Sequence, residues 1–530
     1  MSSTFSGLEV AKRALHTQQS ALHTTGHNIA NANTEGYTRQ RVNFSQTAPF
    51  PPASRNRPEI PGQVGSGVEA GSIERIRNSF IDKQFRQENT KVGYYEAKAD
   101  MMEKMESILN EPSEEGLSQA MDQFWESLQD LSVNPEEAGA RSVVRQRGKA
   151  VAESFQYLNS SLEGVRSNLK NEIGVDNKEV NSLVDQINAL NSQISEIEPH
   201  GYVPNDLYDE RDRLVDDLSS YVDINVSYQE SSGQPSSIAQ GIATIQLAAD
   251  DSNIEGGGPI TLVDGSGDTE IGSQDAVNHL YVDFDDDNNV SNLFFNQPNQ
   301  DVEDLADNQQ EPYIDAANFQ VQGKLKALVE GTGYLDENGQ ATGEYNDILN
   351  NLDEMVQNFV QEFNAVHQDG YSLNRENGIN FFDENGLTAD TIAVDQAIID
   401  DKDNIAASTT GSPGDGEHAT ELADVYQKRA EDYEFAGNTL DEKTSIKTFY
   451  ESAIGEMAVV AQESNRMVNN SEVLRQQVEE SRQSISSVSL DEEMTNMIQF
   501  QHAYNAAARN MTAVDEMLDR IINNMGLVGR

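Results

Sequence analysis

Nine side chains near the C-terminus constrain this chain more than any other feature in it. Met497, Phe500, Tyr504, Ala507, Met511, Val514, Leu518, Ile521 and Met525 recur in steps of three and four over four heptads. A stripe of that period demands a helix with a helical neighbour along one face. Ahead of it, Ser489-Leu490-Asp491-Glu492 predicts a capping box, the serine hydroxyl accepting from a free N–H while Glu492 reaches back. A weaker stripe lies at the other end: Leu8, Leu15, Leu22 and Ile29 repeat every seven, with Ala11, Gln18 and Thr25 at the alternate seam positions. Ser6 and Glu9 predict a capping box there too. The run ends in Asn31-Ala32-Asn33-Thr34-Glu35-Gly36, residue types that stop helices. This N-terminal stripe is too poor in large apolar groups to hold a two-helix unit by itself. Both ends are therefore expected to find helical partners in other subunits, through a non-closing contact of the kind that builds tubes.

Between the ends, four apolar stripes predict a bundle of helices. They run through Tyr94 to Ile108, Leu117 to Leu131, Val151 to Leu169 and Val180 to Ile197, with breaks at Pro112, at Pro135 and from Pro199 to Pro204. Around 223-300 the period changes to two, as where Leu280, Val282 and Phe284 alternate with His279, Tyr281 and Asp283. Helix returns with Leu352, Met355, Val356, Phe359, Val360 and Phe363, a less regular region covers about 370-440, and a long helix follows from about 445. The reading is a multidomain α+β chain with three kinds of part: a coiled-coil-like module of terminal helices, a long-helix bundle and inserted β-rich outer domains. The expected boundaries are 1-60 plus 488-530 for the terminal module, and 61-222 plus 320-370 plus 445-487 for the bundle. A β-rich insert takes 223-319, and a mixed, mostly irregular or β insert takes 371-444.

Charge and composition remove several function classes. The 90 Asp and Glu against 36 Lys and Arg, a net charge of -54, repel nucleic acid and anionic membranes. The excess is uneven: residues 1-90 hold ten basic and seven acidic side chains, whereas 214-323 hold 21 acidic and no Lys or Arg. Such a diffuse acidic surface fits adaptation to high salt. Without cysteine there are no disulfides and no thiolate chemistry. No apolar run reaches membrane-span length, and the N-terminus lacks a secretory h-region. The chain is thus expected to be cytoplasmic or to leave the cell by a route that reads no such signal. Catalysis has no recognisable motif. Asp283 to Asp287 opens like a calcium loop, but Asn288 and Phe294 stand where glycine and glutamate belong, so a solvated hairpin is expected. His23 and His27 have zinc-compatible spacing and His16 lies one heptad before His23, but without a nearby carboxylate or cysteine triad they are expected to be ordinary polar-face histidines. No catalytic, cofactor or metal residue is assigned.

The stretch His27 to Gln40, HNIANANTEGYTRQ, resembles the N-terminal signature of bacterial flagellar axial proteins of rod, hook and hook-filament junction. Ser487 to Glu493 together with Gln499 to Arg509, QFQHAYNAAAR, narrows the resemblance to the hook-associated protein 1 (FlgK) family of junction proteins. Phe124-Trp125, Leu128 to Leu131, Asn134-Pro135-Glu136 and Pro204 to Asp212, PNDLYDERD, are also similar to that family's helices. One departure is Ser487-Val488-Ser489 where the family favours Gly-Val-Asn; serine replaces asparagine as a comparable helix cap.

The resemblance implies a non-enzymatic adaptor layer between hook and filament, outside the cell and cytoplasmic before export. Its implied partners are other copies of itself, the flagellar hook protein, the second junction protein, the export chaperone FlgN and the flagellar type III export apparatus. The implied assembly residues are Asn28, Ile29, Ala30, Asn31, Asn33, Thr34, Gly36, Tyr37 and Arg39, with the C-terminal heptads. The alternatives are a hook or distal-rod protein, or a coiled-coil surface adhesin.

Overall fold

Two of the expected helices are one. The stripes at Val151 to Leu169 and Val180 to Ile197 belong to a single 60-residue helix, Ala138–Ile197. The residues between them contain no proline, and Ile173 and Asp176 carry the buried series across the gap. At 1.5 Å per residue this rod is about 90 Å long. It starts just after Pro135 and stops just before Pro199.

The computed structural model describes residues 5–51, 62–109, 116–336, 338–435 and 437–524. The expected break at Pro112, the expected boundary at residue 60 and Met525 lie outside them. In chain order come α1 (Ser6–Ala30), the hairpin of β1 (Gln40–Gln46) and β2 (Val68–Arg75), α2 (Ser79–Leu109), α3 (Leu117–Val133), α4 (Ala138–Ile197) and α5 (Asn205–Tyr221). Next are β3 (Ile224–Gln229), β4 (Ile242–Leu247), β5 (Thr261–Val263), β6 (His279–Phe284), β7 (Val290–Asn296), α6 (Val302–Asn308), β8 (Tyr313–Asp315) and α7 (Lys324–Thr332). Last are β9 (Tyr334–Leu335), β10 (Ala341–Thr342), α8 (Glu344–Asp369), α9 (Gln396–Asp400), α10 (Glu417–Asp424), α11 (Ile446–Ser486) and α12 (Leu490–Asn524).

The β-rich stretch forms two small sheets. One has the order β3-β4-β5; the other runs β10-β9-β7-β6, with β8 also paired to β7. Leu280 and Val282 of β6 are buried, as alternation predicts. The tip of the β6-β7 hairpin is built by Asp285, whose carboxylate accepts the Asn289 N–H at 2.7 Å while Asn288 takes a left-handed φ of 65°. The acidic tip is a turn device.

One contiguous apolar core runs through the helices and both sheets. Its densest part is aromatic: Phe124 of α3 lies 5.4 Å from Phe363 of α8 and 5.6 Å from Phe381, centroid to centroid, and Phe381 lies 4.9 Å from Phe382. The buried Asn364 amide holds that insertion, accepting the N–H groups of Phe381 and Phe382 and donating to the Phe382 carbonyl at 2.8 Å. The stretch 371-444 thus sends its large side chains into the helical core. Among its described residues it contains α9, α10 and isolated bridges but no named strand.

The terminal helices pack on each other within the chain. This corrects the expectation that each stripe waits for another subunit. The reason lies in small residues. On α1 the buried positions are Ala11, Thr17, Ala21, Thr24, Thr25 and Asn28, while Leu8, Leu15, Leu22 and Ile29 are half-buried. Small side chains let α1 approach both α12 and the β1-β2 hairpin: the Thr17 hydroxyl reaches the Val68 carbonyl at 3.2 Å, and Val514 sits against Gly7. The hairpin adds the edge-to-face pair Phe44–Phe500 at 5.9 Å. The capping box expected at Ser6 is absent, since the residue preceding α1 is Phe5, with no side-chain cap.

Candidate assembly interface at the joined termini

The motif that follows α1 is a knot of side-chain to backbone hydrogen bonds. Asn28, 1% exposed, behaves as a strand neighbour of Gln40: its amide donates to the Gln40 carbonyl at 2.8 Å and its oxygen accepts the Gln40 N–H at 3.0 Å. The same oxygen accepts the Tyr37 hydroxyl at 2.8 Å. With that proton committed, the Tyr37 oxygen accepts from His27 Nδ1 at 3.0 Å. Burial, with Asp209, Asp206 and Glu493 nearby, pushes the Tyr37 hydroxyl well above its ordinary value, so it remains a donor. Asn31 closes α1, its N–H and side-chain amide both reaching the His27 carbonyl while its own carbonyl accepts from Thr34 N–H at 2.9 Å. Gly36 turns the chain with φ +76°, beside the Arg213 side chain. Ile29 is half-buried, and Ala30, Asn33 and Thr34 are exposed.

Three elements meet at this knot. Thr38 donates its N–H to Asp209 of α5 at 3.1 Å, and the Gln40 side chain donates to Asp206 at 3.1 Å. Arg39 crosses to the other end of the chain: its N–H donates to the Ser486 carbonyl, at the end of α11, at 2.9 Å. Its guanidinium holds Glu492 through two nitrogens at 2.7 and 3.0 Å, and Glu493 through Nε at 2.9 Å. The Glu492 hydrogen bond and the Glu493 charge raise Arg39 above its ordinary value, and Arg39 holds Glu492 below the usual carboxylate range. The reach-back expected of Glu492 is thus corrected: its carboxylate goes to Arg39, because a guanidinium offers it a bidentate partner.

Beneath the knot lies a buried charge cluster that pattern reading missed. Arg75 meets Asp209 at 2.6 Å and Asp212 at 3.0 Å; Arg77 meets Asp82 at 2.7 Å and Asp212 at 3.1 Å; Arg86 meets Asp216 at 2.7 Å. Arg482 of α11 meets the same Asp216 at 2.5 Å and lies over the Phe85 ring at 4.1 Å. Burial works against ionising Asp212, but Arg77, Arg75, Arg211 and Arg86 outweigh it and hold the carboxyl well below the usual range. The only local hint was weak: Arg75, Arg77 and Arg86 stand close together and the PNDLYDERD stretch is acidic, but the two are far apart in sequence.

The α12 heptads divide between covered and open positions. Leu518 is buried; Met497, Phe500, Ala507, Met511 and Val514 are half-buried; Tyr504 and Ile521 are exposed. Further apolar side chains stay open at both ends of α12: Leu490, Met494 and Ile498 in steps of four near its start, and Met517, Ile521 and Ile522 near its end, with Ile498 54% and Met517 56% exposed. His23 is exposed, and among the described residues no group of three His, Cys, Asp or Glu side chains is placed to hold a metal ion.

The family model described as the flagellar hook-associated protein FlgK helical domain matches residues 102–382. The flagella basal body rod protein model matches 8–38, and the model described as flagellar basal body rod FlgEFG protein C-terminal matches 480–525. The chain is 44% identical over 539 residues, all of both chains, to flagellar hook-associated protein 1 of Bacillus subtilis (strain 168). It is 30% identical over 238 residues to the protein of that name from Escherichia coli (strain K12), covering 44% of this chain and 42% of that one. The flagellar hook junction protein FlgK from Burkholderia pseudomallei shares the fold, with a TM-score of 0.56 at 13% identity over 78% of this chain and 100% of that one. With a full-length relative this similar and its helical region matched, the chain belongs to the flagellar hook-associated protein 1 (FlgK) family, a structural component of the bacterial flagellum.

Proposed function

We propose that this chain forms the adaptor layer between hook and filament, outside the cell, and that its joined terminal helices are the assembling end. The observation that carries this reading is the motif from Asn28 to Arg39, which ties both termini into one helical pair while α12 keeps apolar side chains open at both of its ends. Assembly buries those side chains against neighbouring axial subunits. Those neighbours are copies of this chain, the hook protein on one side and the second junction protein on the other. The terminal module, 1-60 with 488-530, faces the tube axis. The strongly acidic 214-323 stretch faces the medium, where its charge keeps subunits soluble.

Before export the open apolar side chains of α12 are a site for the chaperone FlgN, and the type III export apparatus carries the chain out. No helix among the described residues is long and apolar enough to cross a membrane. The role is structural and needs no catalytic chemistry. The experiment is deletion of the gene: cells should build hooks without filaments and release unpolymerised flagellin, whereas normal filaments would overturn the junction reading.

A further inference from the structure

The joint between α11 and α12 is three residues long, Ser487 to Ser489, and two arginines hold its two sides. On the α11 side Arg482 is fixed to the body through Asp216 and the face of Phe85. On the α12 side the first helical turn carries Glu492 and Glu493, both on Arg39, and the buried Glu493 is 3% exposed at its side chain. Arg39 also holds the Ser486 carbonyl through its N–H and receives the Ile76 N–H at its own carbonyl, both at 2.9 Å. One residue therefore touches the end of α11, the start of α12 and the segment between β2 and α2. Beside it a cleft of about 720 Å³ separates the turn 32-38 from the end of α11, from Glu472 onwards, and the first residues of the joint.

We propose that Arg39 is the positioning residue of this joint: by spanning Ser486, Glu492 and Glu493 it fixes the direction in which α12 leaves α11. The terminal pair is then presented to the next subunit in one orientation. A fixed orientation lowers the ordering cost of each addition. The consequence for assembly rests on the junction reading above; the geometric claim does not.

The test uses the full-length chain, which has no cysteine, with Val473→Cys on α11 and Asn505→Cys on α12 carrying spin labels. Both positions are exposed. Electron-electron resonance should give one narrow distance distribution with Arg39 and a broadened one with Arg39→Gln, at an unchanged melting transition of the helical body. Arg39→Lys, which keeps charge but loses the fork, should be intermediate. The triple exchange Arg39→Glu, Glu492→Arg, Glu493→Arg should narrow the distribution again. An equally narrow distribution in Arg39→Gln overturns the proposal. Arg39→Gln should also lower incorporation into flagella in cells. Normal incorporation despite a broadened joint, or lost incorporation with an unbroadened one, would likewise overturn it. Filaments in the gene-deletion strain would instead defeat the junction reading alone, leaving the distance measurement to stand.

Discussion

Thr38 donates its backbone N–H to the Asp209 carboxylate at 3.1 Å, joining two sequence motifs 171 residues apart. Each motif is conspicuous alone: one ends α1, the other opens α5. Their contact gives both motifs a reason to be rich in hydrogen-bonding side chains. They meet where the terminal helices attach to the body, and the attachment is made of hydrogen bonds and ion pairs over a small apolar floor.

Asn28 is the centre of the upper part of that attachment. Asn28→Ala removes the partner of both Gln40 backbone groups and of Tyr37, at a cost of about 1–3 kcal/mol. The loss should be local. Hydrogen exchange should quicken over residues 27-40 while amides of α4 keep their protection.

Asp212 anchors the lower part. Its neutral replacement Asp212→Asn leaves Arg75 and Arg77 buried with less compensation, and should destabilise the body by about 3–5 kcal/mol in denaturant titration. Because its folded pKa is depressed, its stabilising share is present above the ordinary carboxylate range and lost as pH falls below it. The variant should therefore show a weaker acid dependence than the native chain.

His367 gives a second pH signature, higher up the scale. It accepts the Ala406 N–H at Nε2, 2.9 Å away, and faces the Ile379 carbonyl through Nδ1 at 2.7 Å, so it is held neutral. Burial pushes it down to about 4 from an ordinary 6.5. The unfolded chain takes the proton first, so stability should be full above pH 6.5 and fall by about 3 kcal/mol on the way to pH 4. In urea titrations at several pH values His367→Gln should flatten that part of the profile.

Two glycines of α4 should respond in opposite directions to alanine. A Cβ at Gly148 would stand 2.6 Å from the Phe381 ring and 3.2 Å from Phe124, so Gly148→Ala should cost about 1–3 kcal/mol through overpacking. At Gly164 a Cβ meets nothing within 4 Å, and Gly164→Ala should stabilise the helix by about 0.5–1 kcal/mol. Thermal unfolding of the two variants checks both signs.

The C-terminal stripe, the alternation of β6 and the Asn28-to-Arg39 motif are legible because each is a local pattern with one physical meaning. The continuity of α4 is less legible, since a heptad gap looks the same whether the helix breaks or merely turns a charged face outward. The pairing of α1 with α12 escapes pattern reading because the buried face of α1 is made of Ala11, Ala21 and threonines rather than the leucines a stripe search counts. The arginine-aspartate cluster is hidden for another reason. Its partners are up to 266 residues apart, as with Arg482 and Asp216, and a charge in a sequence does not name its counter-ion.

On the proposed function, the joined termini are the part of the chain that assembles onto the hook. Hooks isolated from the gene-deletion strain, mixed with the full-length chain and imaged by electron microscopy with a specific antibody, should carry it at their distal ends only. The chain lacking residues 490-530, with its helical body still showing a cooperative melting transition, should leave the hook ends bare. Equal end-labelling by the shortened chain, or binding of the full chain along the sides of the hook, would contradict the claim.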